Sequence, residues 1–372
     1  MNAAEPLKPD RRFQIDALDG IRGLAVLLVF VSHCSLKGVS LFPGTDFSGI
    51  GKCGVWLFFL LSSFLLTYPF IARQSGTFSF GNLSNYFFRR VLRVYPLYIL
   101  YLLCALATTP LLARLRPSVE PRGVPFALNA GEFLAHLALL QGKGVTWSIL
   151  VEFKFYFLLP ILALVYVQLF RRNLWLSLLF TIACMAIAFF IWPESTTNDP
   201  RLGPYLPIFF LGSFLALMHW HWQNQAWITQ PGVQRTFEVA GWIAVAVLIA
   251  LIPSVASLLV YGSSGEKFEY NVFHKQFLAF CFLWATVLLA TVYGSGGLRA
   301  LFASYILRFF GFISFSFYLI HVVVLNALNE LWPNLPGLGW LILAVTTAVS
   351  YLSYRIVEKP LSALRLKSAA RS

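Results

Sequence analysis

Long apolar segments recur along the whole chain, separated by short polar stretches. Ten of them reach about the length, roughly 20 residues, that an α-helix needs to cross a bilayer. They cover residues 17–37, 53–72, 96–113, 147–170, 174–192, 204–221, 237–260, 275–293, 309–328 and 337–357. The runs are continuous and do not alternate with a period of two, which argues against a transmembrane β-barrel. The pattern predicts an all-α, polytopic membrane bundle.

The composition is that of an integral membrane protein. Hydrophobic residues make up 58% of the 372 residues and charged residues 12%, with a mean hydropathy of +0.73, whereas soluble domains are about one quarter charged. The stretch FALNAGEFLAHLALL (126–140) is short and charged, so an interfacial or re-entrant helix is expected there. No repeat or long linker divides the chain, which predicts a single membrane domain over residues 1–372.

The basic residues predict the orientation. The net charge is +13, and Lys and Arg accumulate in the cytoplasmic loops of membrane proteins. An inside N-terminus places the cluster FFRRVLR (87–93) and the basic C-terminal tail on the cytoplasmic face. Both termini are therefore expected in the cytoplasm. The charge needs no nucleic-acid partner, because no soluble domain is present to bind one.

The first apolar segment carries ionisable residues that are costly in lipid. Within LDGIRGLAVLLVFVSHC (18–34), Arg22 and His33 are 11 residues apart, close to three helical turns. They therefore share one helix face, with Asp19 near the same face one turn earlier. Ionisable groups in a span usually face the bundle interior and are functional. The structural alternative is that Arg22 snorkels to the headgroups and His33 is a hydrogen-bonded core residue.

A second polar stripe lies on the fourth segment, TWSILVEFKFYFLLP. Ser148, Glu152 and Tyr156 are spaced i, i+4 and i+8, so they share one face of a helix. In the predicted orientation Glu152 lies about one turn below the outer surface. This predicts a depth similar to that of His33.

A third stripe lies on the ninth segment, FGFISFSFYLIHVVVL. Ser314, Tyr318 and His321 are spaced i, i+4 and i+7, with His321 in the outer half of the crossing. Each stripe alone has a structural explanation as a buried, satisfied group. Three stripes at comparable depth predict one packed polar site.

A basic cluster precedes the third segment. NYFFRRVLRVYP places Arg89, Arg90 and Arg93 on the expected cytoplasmic side. Guanidinium groups pair bidentately with phosphates, so Arg90 and Arg93 form a candidate phosphate clamp if the segment is helical. The ordinary excess of positive charge in cytoplasmic loops explains the cluster equally well.

Six motifs in order resemble the integral membrane acyltransferase 3 family, bacterial acyl-CoA-dependent enzymes that modify sugars. LDGIRGLAVLLVFVSH resembles the first helix with its Arg-x10-His motif, here Arg22 and His33. FFRRVLRVYPLY resembles the Arg-x-x-Arg motif, here Arg90 and Arg93. GVWLFFLLSSFLLT, WSILVEFKFYFLLP, ISFSFYLIH and VEKP resemble the second helix, the Trp-Ser-Leu-x-x-Glu segment, the penultimate helix and the closing motif. The resemblance covers nearly the whole chain.

The chain departs from the family pattern at three positions. Members often carry Asp, Gly and a second acidic residue where this chain has Trp56, Ser63 and Phe153. These departures bear on the identity of the acceptor more than on activity. Larger members carry a fused esterase-like domain, which is not expected here.

The resemblance implies a membrane-bound O-acyltransferase of the bacterial plasma membrane, in the simplest case an O-acetyltransferase. The implied donor is cytosolic acyl-CoA, expected to be acetyl-CoA, and the implied acceptor is a hydroxyl of a cell-surface or envelope carbohydrate or glycolipid. His33 is the expected general base. Glu152 is expected to orient His33, and Arg22 to position the donor or stabilise developing negative charge.

The remaining expected roles concern binding. Arg90 and Arg93, with Arg22, are expected to bind the CoA phosphates and the donor. Candidate substrate-binding residues are Asp19, Trp147, Ser148, Tyr318 and His321. No metal site is expected.

Several alternatives stay open at this level. The acceptor is alternatively a small molecule such as a macrolide, and the acyl group alternatively succinyl or longer. Transient acylation of His33 itself is chemically allowed. A proton-coupled transporter also uses intramembrane His and Glu residues. The oligomeric state is not defined by the sequence.

Overall fold

A computed structural model describes residues 16–42, 44–73, 76–115, 127–193, 198–262, 264, 266 and 277–364. The two chain ends, which the charge pattern assigns to the cytoplasm, lie outside the described residues, as do positions 275 and 276 of the predicted eighth crossing. The described residues contain helices and no strand.

The first half of the chain forms seven α-helices. They are α1 (Asp16–Leu36), α2 (Gly51–Ala72), α3 (Phe80–Leu115), α4 (Ala130–Leu137), α5 (Thr146–Leu164), α6 (Leu174–Ile191) and α7 (Leu206–Trp222). A wider π-helical turn, Val165–Leu169, extends α5.

The second half adds eight helices, several of them short. They are α8 (Pro231–Ala250), α9 (Pro253–Tyr261), α10 (Phe277–Tyr293), α11 (Gly297–Phe302), α12 (Tyr305–Phe312), α13 (Ser314–Leu331), α14 (Leu338–Ser353) and α15 (Lys359–Ala363). A second π-helical turn, Tyr354–Glu358, joins α14 to α15.

The predicted membrane bundle is confirmed. Nine helical segments in the described ranges are long and apolar enough to cross a bilayer, and α10 adds a shorter apolar helix of 17 residues. Among them, α1, α2, α5 and α7 bury most of their residues inside the protein, whereas α6, α8 and α14 expose most of theirs. The centre of the bundle is therefore formed by α1, α2, α5 and α7, and the large apolar side chains that α6, α8 and α14 expose suit contact with lipid.

Three predicted crossings differ from the observed helices. The third begins much earlier, because α3 starts at Phe80 and carries the arginine cluster that the sequence placed in a preceding loop. The seventh ends at Ala250, because Pro253 cannot continue a helix and holds Ile252 in an extended conformation. The ninth is broken at Ile313 into α12 and α13.

A buried carboxylate stabilises the break between α12 and α13. Glu358 accepts hydrogen bonds from the backbone N–H of Ser316, at 2.9 Å, and from the hydroxyl of the same residue. The first N–H groups of a helix have no partner within it. The side chain of Glu358 therefore supplies the cap that lets α13 begin inside the bundle at Ser314.

Glycines bring α1 very close to α12. A Cβ atom built on Gly23 would lie 1.9 Å from the carbonyl oxygen of Leu307, and one built on Gly311 would lie 1.9 Å from that of Asp19. Small residues allow this close backbone approach between membrane helices. The crossing fixes the N-terminal end of α1, which carries Arg22, against the segment that leads into α13.

We expect Gly311→Ala to destabilise the protein by about 1–3 kcal/mol, because the new methyl group meets rigid backbone atoms. The measurement is thermal unfolding in detergent. Gly232→Ala on α8 is the matched control, since a Cβ atom there meets nothing within 4 Å and should leave the protein unchanged or slightly more stable. Equal melting temperatures for the two variants would contradict the close crossing.

The short helix α4 organises the start of α5. The ring of His136 donates from Nδ1 to the carbonyl of Glu132, at 2.7 Å, and accepts at Nε2 from the N–H of Lys143, at 3.1 Å. The Lys143 carbonyl in turn accepts from the hydroxyl of Thr146, the first residue of α5. The neutral imidazole therefore holds the loop from which the polar stripe of α5 begins.

Burial lowers the pKa of His136 below its ordinary value near 6.5. The unfolded chain therefore binds a proton at higher pH than the folded chain does, and stability falls as the pH drops below about 6.5. We expect the difference in melting temperature between the wild type and His136→Gln to shrink from pH 8 to pH 5. A difference that grows on acidification would contradict this sign.

Candidate functional site

Arginines from two helices line a polar cavity in the middle of the bundle. Its wall is formed by side chains of α1, α2, α3, α5 and α13. The polar residues at its inner part are Arg22, Ser62, Arg90, Arg93, Glu152 and Tyr156. Each was placed on a stripe or cluster by the sequence except Ser62.

A second cavity continues the first toward the N-terminal end of α3. The two share Leu65, Leu66, Arg90 and Arg93 in their walls. The second cavity adds polar side chains that the sequence did not indicate, Arg73, Asn82 and Asn85, together with Arg89. In the orientation predicted from loop charge, this is the cytoplasmic mouth of a cation-lined passage.

Arg90 lies in the walls of both cavities. The Nε atom of Arg90 is buried and has no hydrogen-bond partner among the described residues. Its guanidinium carbon lies 5.8 Å from the ring centre of Tyr156, within cation–π range. Buried N–H groups are usually hydrogen-bonded, so the Nε–H of Arg90 is a candidate donor to a ligand in the cavity.

Arg22 connects α1 to α13 at the inner part of the cavity. Its Nη2 atom donates to the hydroxyl of Ser314 at 3.3 Å, and its Nη1 atom lies 4.0 Å from the carboxylate of Asp19. Asp19 is therefore an ion-pair partner of Arg22 and does not form part of the cavity wall. The same two helices also meet at their outer ends, where His33 contacts His321. Because both contacts follow the chain order, α1 and α13 run in the same direction.

At those outer ends two histidines form a hydrogen bond. Nδ1 of His33 lies 2.7 Å from Nε2 of His321, and the two rings are nearly parallel at 6°. Nδ1 of His321 lies 3.2 Å from the carbonyl oxygen of Phe317. His321 is fully buried and His33 is partly exposed. The two histidines, predicted separately as catalytic and substrate-binding residues, are thus one unit.

Two hydroxyl groups separate the cavity from this histidine pair. The hydroxyls of Ser148 and Tyr318 lie 2.7 Å apart, and that of Tyr318 donates to the carbonyl of Val145 at 3.0 Å. Both side chains line the cavity, and the ring of Tyr318 lies 5.8 Å from that of His321. The histidines themselves lie beyond the cavity wall.

Glu152 is not the hydrogen-bond partner of His33. Ser148 contacts Tyr318, which precedes His321 by one turn, and Glu152 lies a further turn toward the inner side. Glu152 therefore lies one turn inward of Ser148 on α5. Its carboxylate accepts from the hydroxyl of Ser62 and interacts with the arginines of the cavity. The structure pairs His33 with an imidazole and places Glu152 among the cations.

Trp147 is also not part of the cavity wall. Its buried ring packs against Phe59 and Tyr205, with ring centres 6.2 Å and 5.3 Å apart. It anchors the first turn of α5, on which Ser148 lies. No group of three or more His, Cys, Asp or Glu side chains in the described ranges could hold a metal ion.

The chain matches the acyltransferase 3 model, an acyltransferase domain, over residues 15–355. It therefore belongs to this family, and the protein is a multi-pass membrane acyltransferase. The sequence left an enzyme and a proton-coupled transporter open, and the match to an acyltransferase domain supports the enzyme.

Named relatives share this domain at low identity. Acyltransferase MdmB of Streptomyces mycarofaciens is 25% identical, with 95% of this chain and 92% of that protein aligned. The putative peptidoglycan O-acetyltransferase YrhL of Bacillus subtilis is 25% identical, over 96% of this chain and 56% of its own length. O-acetyltransferase OatA of Staphylococcus aureus is 22% identical, over 96% and 58%.

The chain thus spans little more than half the length of the last two relatives. No solved structure matches it.

Proposed function

We propose that the protein transfers an acetyl group from acetyl-CoA, bound from the cytoplasmic side, to a hydroxyl of an envelope carbohydrate. The observation that carries this proposal is a pair of adjoining cavities that share Arg90 and Arg93 in their walls, with Arg22 further in. They lead toward the hydroxyl pair next to the histidines. The names of two relatives support the acetyl group, O-acetyltransferase OatA and the putative peptidoglycan O-acetyltransferase YrhL, and the name of YrhL also supports a carbohydrate acceptor.

The passage suits a ligand that is anionic at one end and uncharged at the other. Guanidinium groups bind phosphates bidentately, and the buried Nε of Arg90 is available for such a bond. Beyond Arg22 the polar wall groups are the hydroxyls of Ser148 and Tyr318. The phosphates would therefore bind at the mouth and the thioester would point toward the histidines.

His33 acts in this proposal as general base. It takes the proton of the acceptor hydroxyl while the oxygen attacks the thioester carbonyl carbon. The carbon–sulfur bond then breaks, and the sulfur of CoA receives the proton. Arg22, about three turns inward of His33 on α1, would position the donor along the passage. The acyl end has to pass the Ser148–Tyr318 hydroxyl pair to reach His33.

The test is acetyl transfer by the purified protein in lipid nanodiscs. Labelled acetyl-CoA is supplied with peptidoglycan fragments or other oligosaccharides, and both CoA release and labelled product are measured. S-acetylpantetheine, which lacks the phosphates, is the matched donor. We expect it to react with a KM at least about tenfold higher, because each lost charged hydrogen bond costs about 1.5–3 kcal/mol.

Equal KM values for the two donors would contradict the phosphate clamp. Transfer to hydroxylated small molecules but not to any oligosaccharide would contradict the carbohydrate acceptor and leave the donor assignment intact. If the protein consumes no acetyl-CoA with any of the acceptors, the proposal is overturned.

A further inference from the structure

The hydrogen bonds of His33 and His321 define which of their ring nitrogens carry a hydrogen. We propose that His321 is a positioning residue that holds His33 in the tautomer whose Nε2 atom is unprotonated. His33 then presents its Nε2 lone pair as the base, and a second imidazole does the orienting that a carboxylate does in other His-based sites. This inference deepens the proposed function and rests on it for the direction of proton transfer.

The hydrogen bonds define the tautomers one after another. The carbonyl oxygen of Phe317 can only accept, so Nδ1 of His321 carries a hydrogen and donates to it. A neutral imidazole has one N–H, so Nε2 of His321 is an acceptor. The atom 2.7 Å away, Nδ1 of His33, must therefore be the donor. This leaves Nε2 of His33 with a free lone pair.

The geometry fits a hydrogen bond better than a shared metal ion. Two imidazole nitrogens that bind one tetrahedral zinc lie about 3.3 Å apart, given Zn–N distances near 2.0–2.1 Å. The nitrogen atoms of His33 and His321 are 2.7 Å apart. The rings are also nearly parallel, which aims the N–H of one at the lone pair of the other.

His321 is held more rigidly than His33. It is fully buried, and its ring lies 6.3 Å from that of Phe317 in a parallel arrangement. The ring of Phe30 on α1 contacts it from the side. A buried, packed ring loses little further freedom when it orients a neighbour. His33, on the more exposed side of the pair, is the ring that an acceptor hydroxyl can approach.

The pair also accounts for the proton during transfer. The acceptor hydroxyl gives its proton to Nε2 of His33, and the proton on Nδ1 of His33 can shift to Nε2 of His321. The positive charge is then shared by two rings, with the Phe317 carbonyl facing the N–H of His321. When the CoA thiolate takes a proton from Nε2 of His33, the shift reverses and both rings are neutral again.

The experiment compares His321→Gln with His321→Leu in nanodiscs. A glutamine side-chain oxygen can accept the hydrogen bond from Nδ1 of His33, whereas leucine cannot. We expect His321→Leu to lower kcat about 100-fold, with KM for acetyl-CoA within about threefold of the wild-type value. His321→Gln should keep most of the wild-type kcat. His219→Leu is the control for loss of a buried histidine, since His219 bonds to Tyr293 on α10.

Wild-type kcat in His321→Leu, or equal losses in the leucine and glutamine variants, would overturn the positioning role. If His321→Leu does not fold, the tautomer of His33 in the wild-type protein is measured instead. In ¹⁵N-histidine-labelled wild type, the His33 signals, assigned by their loss in His33→Gln, should show protonated Nδ1 and unprotonated Nε2. The reverse pattern would overturn the inference. A protein inactive toward acetyl-CoA would refute the proposed function while the tautomer measurement still stands.

Discussion

Replacing His33 by alanine is expected to lower kcat for acetyl transfer by about 10²–10⁴-fold, the usual contribution of a positioned general base. KM for acetyl-CoA should stay within about threefold, because the cavity proposed to hold the donor does not include His33. Imidazole added to the buffer should restore part of the rate, since the side chain is partly exposed and its removal leaves a space beside His321. His219→Ala, which removes a buried histidine outside the proposed site, is the control.

Unchanged kcat in His33→Ala would contradict the role of the histidine as base. The same variant also separates direct transfer from transient acylation of His33. Intact-mass measurement of the wild type with acetyl-CoA and no acceptor should show no acetyl adduct if transfer is direct. An adduct that disappears in His33→Ala would show instead that His33 is the nucleophile.

The double substitution Arg90→Ala and Arg93→Ala is expected to raise KM for acetyl-CoA at least about 100-fold. In the proposed complex each guanidinium group would make charged hydrogen bonds to phosphate, each worth about 1.5–3 kcal/mol. Because Arg90 also interacts with the carboxylate of Glu152, thermal unfolding without CoA is measured first to establish that the double variant is folded. The measurement is thermal stabilisation by CoA together with steady-state kinetics.

Arg235→Ala is the matched control for this prediction. Arg235 is an exposed residue of α8 on the same predicted side of the membrane, and it is not part of either cavity wall. CoA should stabilise this variant as it does the wild type. Equal stabilisation of the double variant would show that the phosphates bind elsewhere.

The sequence predicted the membrane bundle and most of the site, because both rest on local patterns. Apolar runs of a fixed length identify crossings without knowledge of their neighbours. The i, i+4 and i, i+7 spacings brought Ser148 and Tyr318 to interior faces, and these two residues are in contact. The helical face that carries Arg22 and His33 does face the interior, with both residues bonded to α13.

What the sequence could not predict is the register between helices. Counting residues from the predicted membrane surface placed Glu152 level with His33, whereas the start of α5 is set by the loop that His136 and Lys143 organise. Likewise, the break at Ile313 depends on Glu358, which is distant in sequence. The partner of His33 follows from that break, because the break sets where His321 lies along α13.

The most direct test of the account is the position of a bound donor. We suggest an electron cryo-microscopy map of the protein with a non-transferable acetyl-CoA analogue. The account predicts phosphate density at Arg90 and Arg93 and the acyl end beside Tyr318, directed toward His33. Phosphate density in the separate cavity lined by Asp16, His219 and Arg299, or an acyl end remote from the histidine pair, would contradict it.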